Sequence, residues 1–252
     1  MRLLGGEKKD AEYVGAIYLM YITITKKDKF FTSPSLKRIL GTKFRPYLKS
    51  IKLGLPTACE DLLWNLGNIC IIRILNTIDE RAAGIYSMVF TVEILFVVVI
   101  GAIGSGTLTL SGEATGAKDM KLYRSVIKTS VRWSFLVTAF ALIFVSIFPR
   151  LTLNLFTTDK EVIEMSVIYI ILVAANLFGK FGNIIFGNGI RGYDDTKWMF
   201  FTQVLGTVGV VGLAFLCVFV FKLGMLGVFI AVLCDEAIRA VINFIRFLKI
   251  KF

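Results

Sequence analysis

Six long apolar runs dominate the chain, and short polar links separate them. The runs fall near residues 51–77, 84–109, 124–148, 162–189, 198–221 and 225–248. The links read NTIDERAA, LSGEATGAKDMKLY, FPRLTLNLFTTDKEV, RGYDDTK and KLGMLG. A helix rises about 1.5 Å per residue, so about 20 apolar residues cross a hydrocarbon core roughly 30 Å thick. Each run is long enough to do so. The pattern predicts an all-α polytopic membrane protein with a six-helix transmembrane bundle. A further apolar stretch, YVGAIYLMYITIT at 13–25, is too short for an ordinary span and reads as a helical stub. Residues 1–50 are therefore expected to hold this partial helix and a basic connection. Residues 51–252 are expected to form the six-span lobe.

Composition sharpens this picture. The chain is 56% hydrophobic, above the 45–50% usual for soluble domains, and the excess sits in the six runs. Net charge is +11, which in a soluble protein would suggest nucleic acid. Here the cations gather in alternate links instead, and no basic stripe is interleaved with exposed aromatics. The 26–52 connection, the link with Lys118, Lys121 and Arg124, the link with Arg191 and Lys197, and the tail with Arg246, Lys249 and Lys251 form the basic set. Arg81, Arg150, Lys160 and Lys222 mark the other side. The positive-inside bias makes the first set cytoplasmic, including the C-terminus, and predicts a multi-pass protein of the cell membrane. The latter part of the 26–52 connection is expected to form a short amphipathic helix at the membrane surface.

No enzyme signature appears. With no histidine in the chain, a Ser-His-Asp triad is excluded and proton coupling must use carboxylates. Cys59, Cys70, Cys217 and Cys234 fall in the apolar runs without a CxxC pair and read as small core residues. GAIGSG has neither the Lys-Ser/Thr end nor the preceding strand of a phosphate loop. The glycines of GAIGSGTLTLSG and FGKFGNIIFGNGIRG instead form small faces that let helices approach closely in lipid. Pro56 is placed to kink the first span.

Three acids interrupt the runs. Counted from Ile51, Gly84 and Met225, Glu60, Glu93 and Asp235 lie about 14–15 Å deep, near the midplane. A charge there costs at least about 2.5–3.5 kcal/mol unless it is paired, hydrated or protonated. These acids are the candidate cation or proton sites, set against a purely structural pairing role. Arg239 stands one turn from Asp235. Along the first span, Asp61, Trp64, Asn65 and Asn68 continue the polar face of Glu60. A carboxylate beside an indole and amide oxygens suits Na⁺ or a proton, and burial and nearby cations pull its proton affinity in opposite directions. Asp61 also reads as a wet residue near the interface.

Several segments carry a resemblance. KLGLPTACEDLLWNLG resembles the proline-containing opening of the seventh helix of multidrug and toxic compound extrusion (MATE) transporters. LSGEATGAKDMKL resembles their Gly-rich cytoplasmic link, LNLFTTDKEVIEMSVIYI an external loop and following helix, and GNGIRGYDDTKW the link in which Asp194 stands where glycine is common. Over residues 13–250 the order is similar to that family's C-terminal half, spans seven to twelve. The resemblance implies export of organic cations or drugs against Na⁺ or H⁺ by alternating access, with no cofactor beyond the coupling ion. Glu60 is implied as the seventh-helix acid. Where some members carry a tenth-helix acid, this chain offers Asn176 and Lys180. One lobe implies a missing N-terminal lobe as partner, beside membrane lipid and the substrate. Two other readings stay open: a lipid-linked saccharide flippase of the same superfamily, favoured by Lys180, Arg132 and Arg239, and a non-functional truncated product.

Overall fold

The computed structural model describes residues 13–18, 20–22, 41, 44–79 and 81–251. The chain separates into two compact units, residues 1–52 and 53–252. The described part of the first includes a short apolar helix, Tyr13–Ile22; residues 23–25 of the expected stub and most of the basic connection lie outside the described residues. Six long helices follow: α1 Phe44–Asn76, α2 Ala82–Gly116, α3 Met120–Ile147, α4 Lys160–Gly192, α5 Thr196–Phe215 and α6 Gly224–Leu248. A one-turn helix, Pro149–Asn154, joins α3 to α4, and a π-helical turn, Leu216–Val220, extends α5. The fold is the expected all-α bundle.

Sequence chemistry sets the helix starts. Asp119, Asp159 and Asp195 cap α3, α4 and α5: each side chain accepts from backbone N–H groups of the first turn. Lys118 and Asp194, just before two of these caps, adopt φ of 54° and 73°. This left-handed geometry turns the chain sharply between antiparallel helices. Asp194 thus occupies a site whose backbone favours glycine. At the opposite helix ends, Arg150 makes a two-pronged ion pair with Glu164, at 2.7 and 3.0 Å.

The expected surface helix is, from Phe44 onward, simply the first turns of α1. Pro56 does not end α1, which runs helical through it. A helix bonds its own backbone groups, so a proline costs it only local bonds.

Helix α4 is the hub, packing against α2, α3, α5 and α6. The largest apolar core centres on Val89, Val92, Ile170, Ala174, Val228 and Ala231. Helix α1 is held chiefly by side chains: Ile71 and Leu75 enter that core, and Gly67 faces Thr207. The glycines expected to form small faces divide. Gly179, Gly187, Gly189 and Gly192 of α4 meet neighbouring helices closely, as does Gly104 of α2, whereas Gly101 and Gly106 face open space. Outward lie Trp133, Phe135, Phe140, Phe201 and Val208, all well exposed, a surface suited to acyl chains.

Four helices, α2, α3, α4 and α5 with its π turn, are long and apolar enough to cross a membrane by length and composition. Helices α1 and α6 carry the exceptions in mid-helix: Glu60, Asp61, Asn65 and Asn68 in one, and Asp235, Glu236 and Arg239 in the other.

Candidate functional site

Helix α6 places Asp235, Glu236 and Arg239 on adjoining turns. The Arg239 guanidinium lies 2.6 Å from Asp235 Oδ2 and 3.1 Å from Glu236 Oε1. Its other terminal nitrogen donates to Gln203 Oε1 on α5 at 2.9 Å. Glu236 Oε2 accepts from Asn183 of α4 at 3.1 Å, Asn183 Oδ1 from Asn243 at 2.8 Å, and Asn243 Oδ1 from the Trp198 indole at 3.1 Å. One polar chain thus ties α4, α5 and α6 together inside the bundle.

Two glycines make this approach possible. A Cβ at Gly179 would meet the Ala237 nitrogen and the Glu236 carbonyl carbon at 2.9 Å, both backbone atoms. A Cβ at Gly206 would sit 2.6 Å from Arg239 Cδ and 2.9 Å from Asp235 Oδ1. Any larger residue would push α4 and α6 apart, or drive the ion cluster off α5.

A second cluster adjoins the first. Glu93 on α2 accepts from Lys180 Nζ at 2.8 Å and from Asn176 Nδ2 at 3.0 Å, both on α4. Lys180 Nζ also lies 5.2 Å from the centre of the Phe90 ring, a cation–π distance. Glu93 sits about 16 Å from the start of α2 and Asp235 about 16 Å from the start of α6. These two acids therefore share a level.

Between the clusters lies a cavity of about 40 Å³, room for a few waters. Trp64, Asn68, Tyr86 and Phe90 form its aromatic and amide wall, and Lys180, Asp235, Glu236 and Arg239 its charged wall. Through Trp64, Phe90, Lys180 and Glu236 it adjoins a wider cleft of about 260 Å³. With every group ionised, Glu93 and Lys180 cancel, while Asp235 and Glu236 face the single cation Arg239. The two clusters beside the cavity together hold three carboxylates against two cations. No trio of His, Cys, Asp or Glu converges as a metal site among the described residues.

Glu60 lies elsewhere. It is buried, but its carboxylate pairs with Arg191, in the last turn of α4. This differs from the partners expected from the sequence: α1 starts at Phe44, not Ile51, and Glu60 pairs with the Arg191 guanidinium, which reaches back along α4 toward Gly187, and not with the groups of the Glu93 and Asp235 clusters. Glu60 Oε1 and Arg191 Nε are buried without a hydrogen-bond partner. Asp61 is exposed, and Asn65 turns back to donate to the Asp61 carbonyl at 2.7 Å. Trp64 and Asn68 serve the cavity instead of Glu60. Sequence reasoning passed over Glu236, Asn183, Gln203 and Arg191. A signal existed for the first two: Glu236 adjoins Asp235, and Asn183 lies one turn beyond Lys180.

The MatE family profile matches residues 56–218. The uncharacterized transporter YisQ of Bacillus subtilis is 25% identical across 94% of this chain. The probable multidrug resistance protein NorM of Thermotoga maritima is 25% identical across 95% of it. In each case the chain spans 51% of the relative's length. Among solved structures, a multidrug resistance MATE family transporter of the MOP superfamily in an outward-facing conformation superposes with TM-score 0.85 at 17% identity, over 94% of this chain and 53% of that one. A MOP superfamily transporter from Pyrococcus furiosus, described as having a binding pocket of reverse polarity, superposes with TM-score 0.84 at 18% identity, over 94% and 53%.

Proposed function

Because the chain belongs to the MatE family, a family of transporters and not of enzymes, we propose that it is one lobe, spans seven to twelve, of an antiporter that exports organic cations or drugs by alternating access. Residues 1–50 then hold the end of the preceding lobe and its connection, and residues 51–252 the working lobe. The missing N-terminal lobe is the partner against which this one rocks. The basic links and the C-terminus face the cytoplasm.

One observation carries the reading: the two ionic clusters beside the cavity hold three carboxylates against two cations, next to three aromatic rings of the cavity wall. An organic cation satisfies that excess with its charge and the rings with its body. A proton or Na⁺ satisfies the same excess without the rings. The two ligands therefore compete for Asp235 and Glu236, which is the physical condition for exchanging one against the other. Glu93 supports the site by holding Lys180 beside the cavity, and Arg239 positions both α6 carboxylates. Glu60 with Arg191 acts at the cytoplasmic end of the lobe. The test is efflux by the intact transporter in vesicles under imposed Na⁺ and pH gradients. Asp235→Asn and Glu236→Gln each abolish coupled efflux while leaving protein levels intact. Full coupled efflux by both variants would sink the assignment.

Lys180 and Arg239 on the cavity wall favour a second reading, a flippase for a lipid-linked saccharide, whose phosphates would meet those cations. Competition separates the two. Organic cations inhibit transport in the first case, and lipid-linked sugars in the second.

A further inference from the structure

Helices α3 and α6 both pack on α4, and an apolar groove of about 360 Å³ lies between them. Phe186 of α4 lines it together with Phe244, Phe247 and Leu248 of α6 and Ile127 and Val131 of α3. Phe186 sits 5.1 Å from the Phe244 ring and 5.6 Å from Phe247, so these three form one aromatic cluster. The groove continues inward to a packed core around Tyr123, Ile127 and Ile185.

The same groove carries two cations and no acid. Arg124 and Lys128, one turn apart on α3, complete its lining. Both are exposed, and neither has an ion-pair partner among the described residues. Lys121 precedes them on α3, and Lys249 follows Leu248 at the end of α6; both are exposed. Nearby acid is already engaged, since Asp195 is held by Arg246 at 2.5 Å. The groove therefore joins a greasy slot to an uncompensated positive rim, at the membrane face onto which the α2–α3 and α4–α5 links open.

That pairing has the shape of a phospholipid. We propose that this groove binds one anionic phospholipid, with an acyl chain along Phe186, Phe244 and Leu248 and the phosphodiester on Arg124 and Lys128. A zwitterionic lipid satisfies the slot but brings its own cation to a rim that already carries two. An anionic lipid satisfies both. Basic pockets between transmembrane helices at the cytoplasmic face recognise headgroups on this principle. The site needs only a membrane-embedded bundle and does not depend on what the cavity transports.

Native mass spectrometry of the intact protein, released from detergent and titrated with phosphatidylglycerol or phosphatidylcholine, tests this. One phosphatidylglycerol binds more tightly than the rest, and phosphatidylcholine shows no such step. In R124Q/K128Q that first step weakens about thirty-fold, from roughly tenfold or less per cation. K160Q/K222Q, at the other helix ends, leaves it unchanged. Both pairs lie on exposed positions, so each variant should fold. Leu248→Trp fills the slot and weakens the step with the cations intact. Equal binding of the two lipids, or an undiminished first step in R124Q/K128Q, overturns the proposal. Glycerol phosphate at millimolar concentration leaves the step in place, because it lacks the chain that the slot holds; full displacement by it would also overturn the proposal.

Discussion

Two of the buried ionic arrangements among the described residues differ in charge balance more than in burial. At one end, Glu60 and Arg191 form a one-to-one pair across α1 and α4. Deeper in, Asp235 and Glu236 share the single cation Arg239. The first arrangement is neutral and joins two helices that otherwise touch mainly through side chains. The second is short of one positive charge and borders a cavity. A neutral pair has nothing to gain from a ligand cation. An acid-rich cluster lowers its own energy by taking one. Burial alone marks both as costly, and only the charge balance separates a fastening from a binding site.

Removing the shared cation should have the largest effect. Arg239→Met leaves two buried carboxylates without a counterion and opens the bonds to Gln203 as well. Breaking a buried pair typically costs about 3–5 kcal/mol, and with two stranded acids the loss should reach at least the top of that range. Thermal unfolding of the purified protein in detergent checks this. Asp235→Asn, which removes the excess acid and leaves Glu236 paired, should keep near-normal stability. If Arg239→Met were as stable as Asp235→Asn, the cluster would not be ionised as described.

The Glu93–Lys180 pair offers a closer contrast, because it is deep and neutral at once. Lys180→Met strands Glu93, which is 2% exposed, and should cost about 3 kcal/mol. Adding Glu93→Gln should recover most of that loss, since Asn176 can still bond the new amide. The single and double variants together form a coupling cycle. Additive losses would show that the pair is not coupled.

Arg191→Gln should cost less, about 1–2 kcal/mol. Its side chain is 23% exposed against 10% for Arg239, so water reaches the gap it leaves. Melting curves at low and high salt check this: the wild-type pair weakens with salt, and the variant is indifferent. A loss equal to that of Arg239→Met would erase the distinction between the two ends.

The helices were legible from the sequence because apolar runs and their links are local features. The Asp235–Arg239 pair was legible too, since one turn of helix fixes it. What escaped was helix rotation. Whether Glu60 faces Trp64 and Asn68 or Arg191 depends on which side of α1 meets α4, and those partners lie 131 residues apart. Glu93 and Lys180 were both noticed, but nothing in the spacing of either helix joins Glu93 to Asn176, 83 residues away, and to Lys180 one turn further on. Gln203 was passed over because one amide in an apolar run looks incidental until α6 brings Arg239 against it. The start of α1 slipped by two turns because Lys and Arg are good helix formers as well as signs of a membrane edge.

The smallest expected effect lies in the link that follows Arg191. Asp194 holds φ at 73°, where a side chain is strained and glycine is not. It is exposed, and its side chain makes no hydrogen bond or ion pair among the described residues. Asp194→Gly should therefore stabilise the protein by roughly 0.5–1 kcal/mol, the relieved strain being partly offset by the greater freedom of glycine in the unfolded chain. Its neighbour supplies the control. Asp195 caps α5 at the Trp198 nitrogen and holds Arg246, so Asp195→Ala should lose about 1 kcal/mol for the cap alone. A rise in melting temperature for one aspartate and a fall for the next would show that backbone geometry, not charge, decides this corner. Because Asp194 touches neither ionic arrangement, its variant should gain stability with transport unchanged. A change in ion coupling there would mean that the α4–α5 link, and with it Arg191, takes part in the transport cycle instead of merely fastening one end of the lobe.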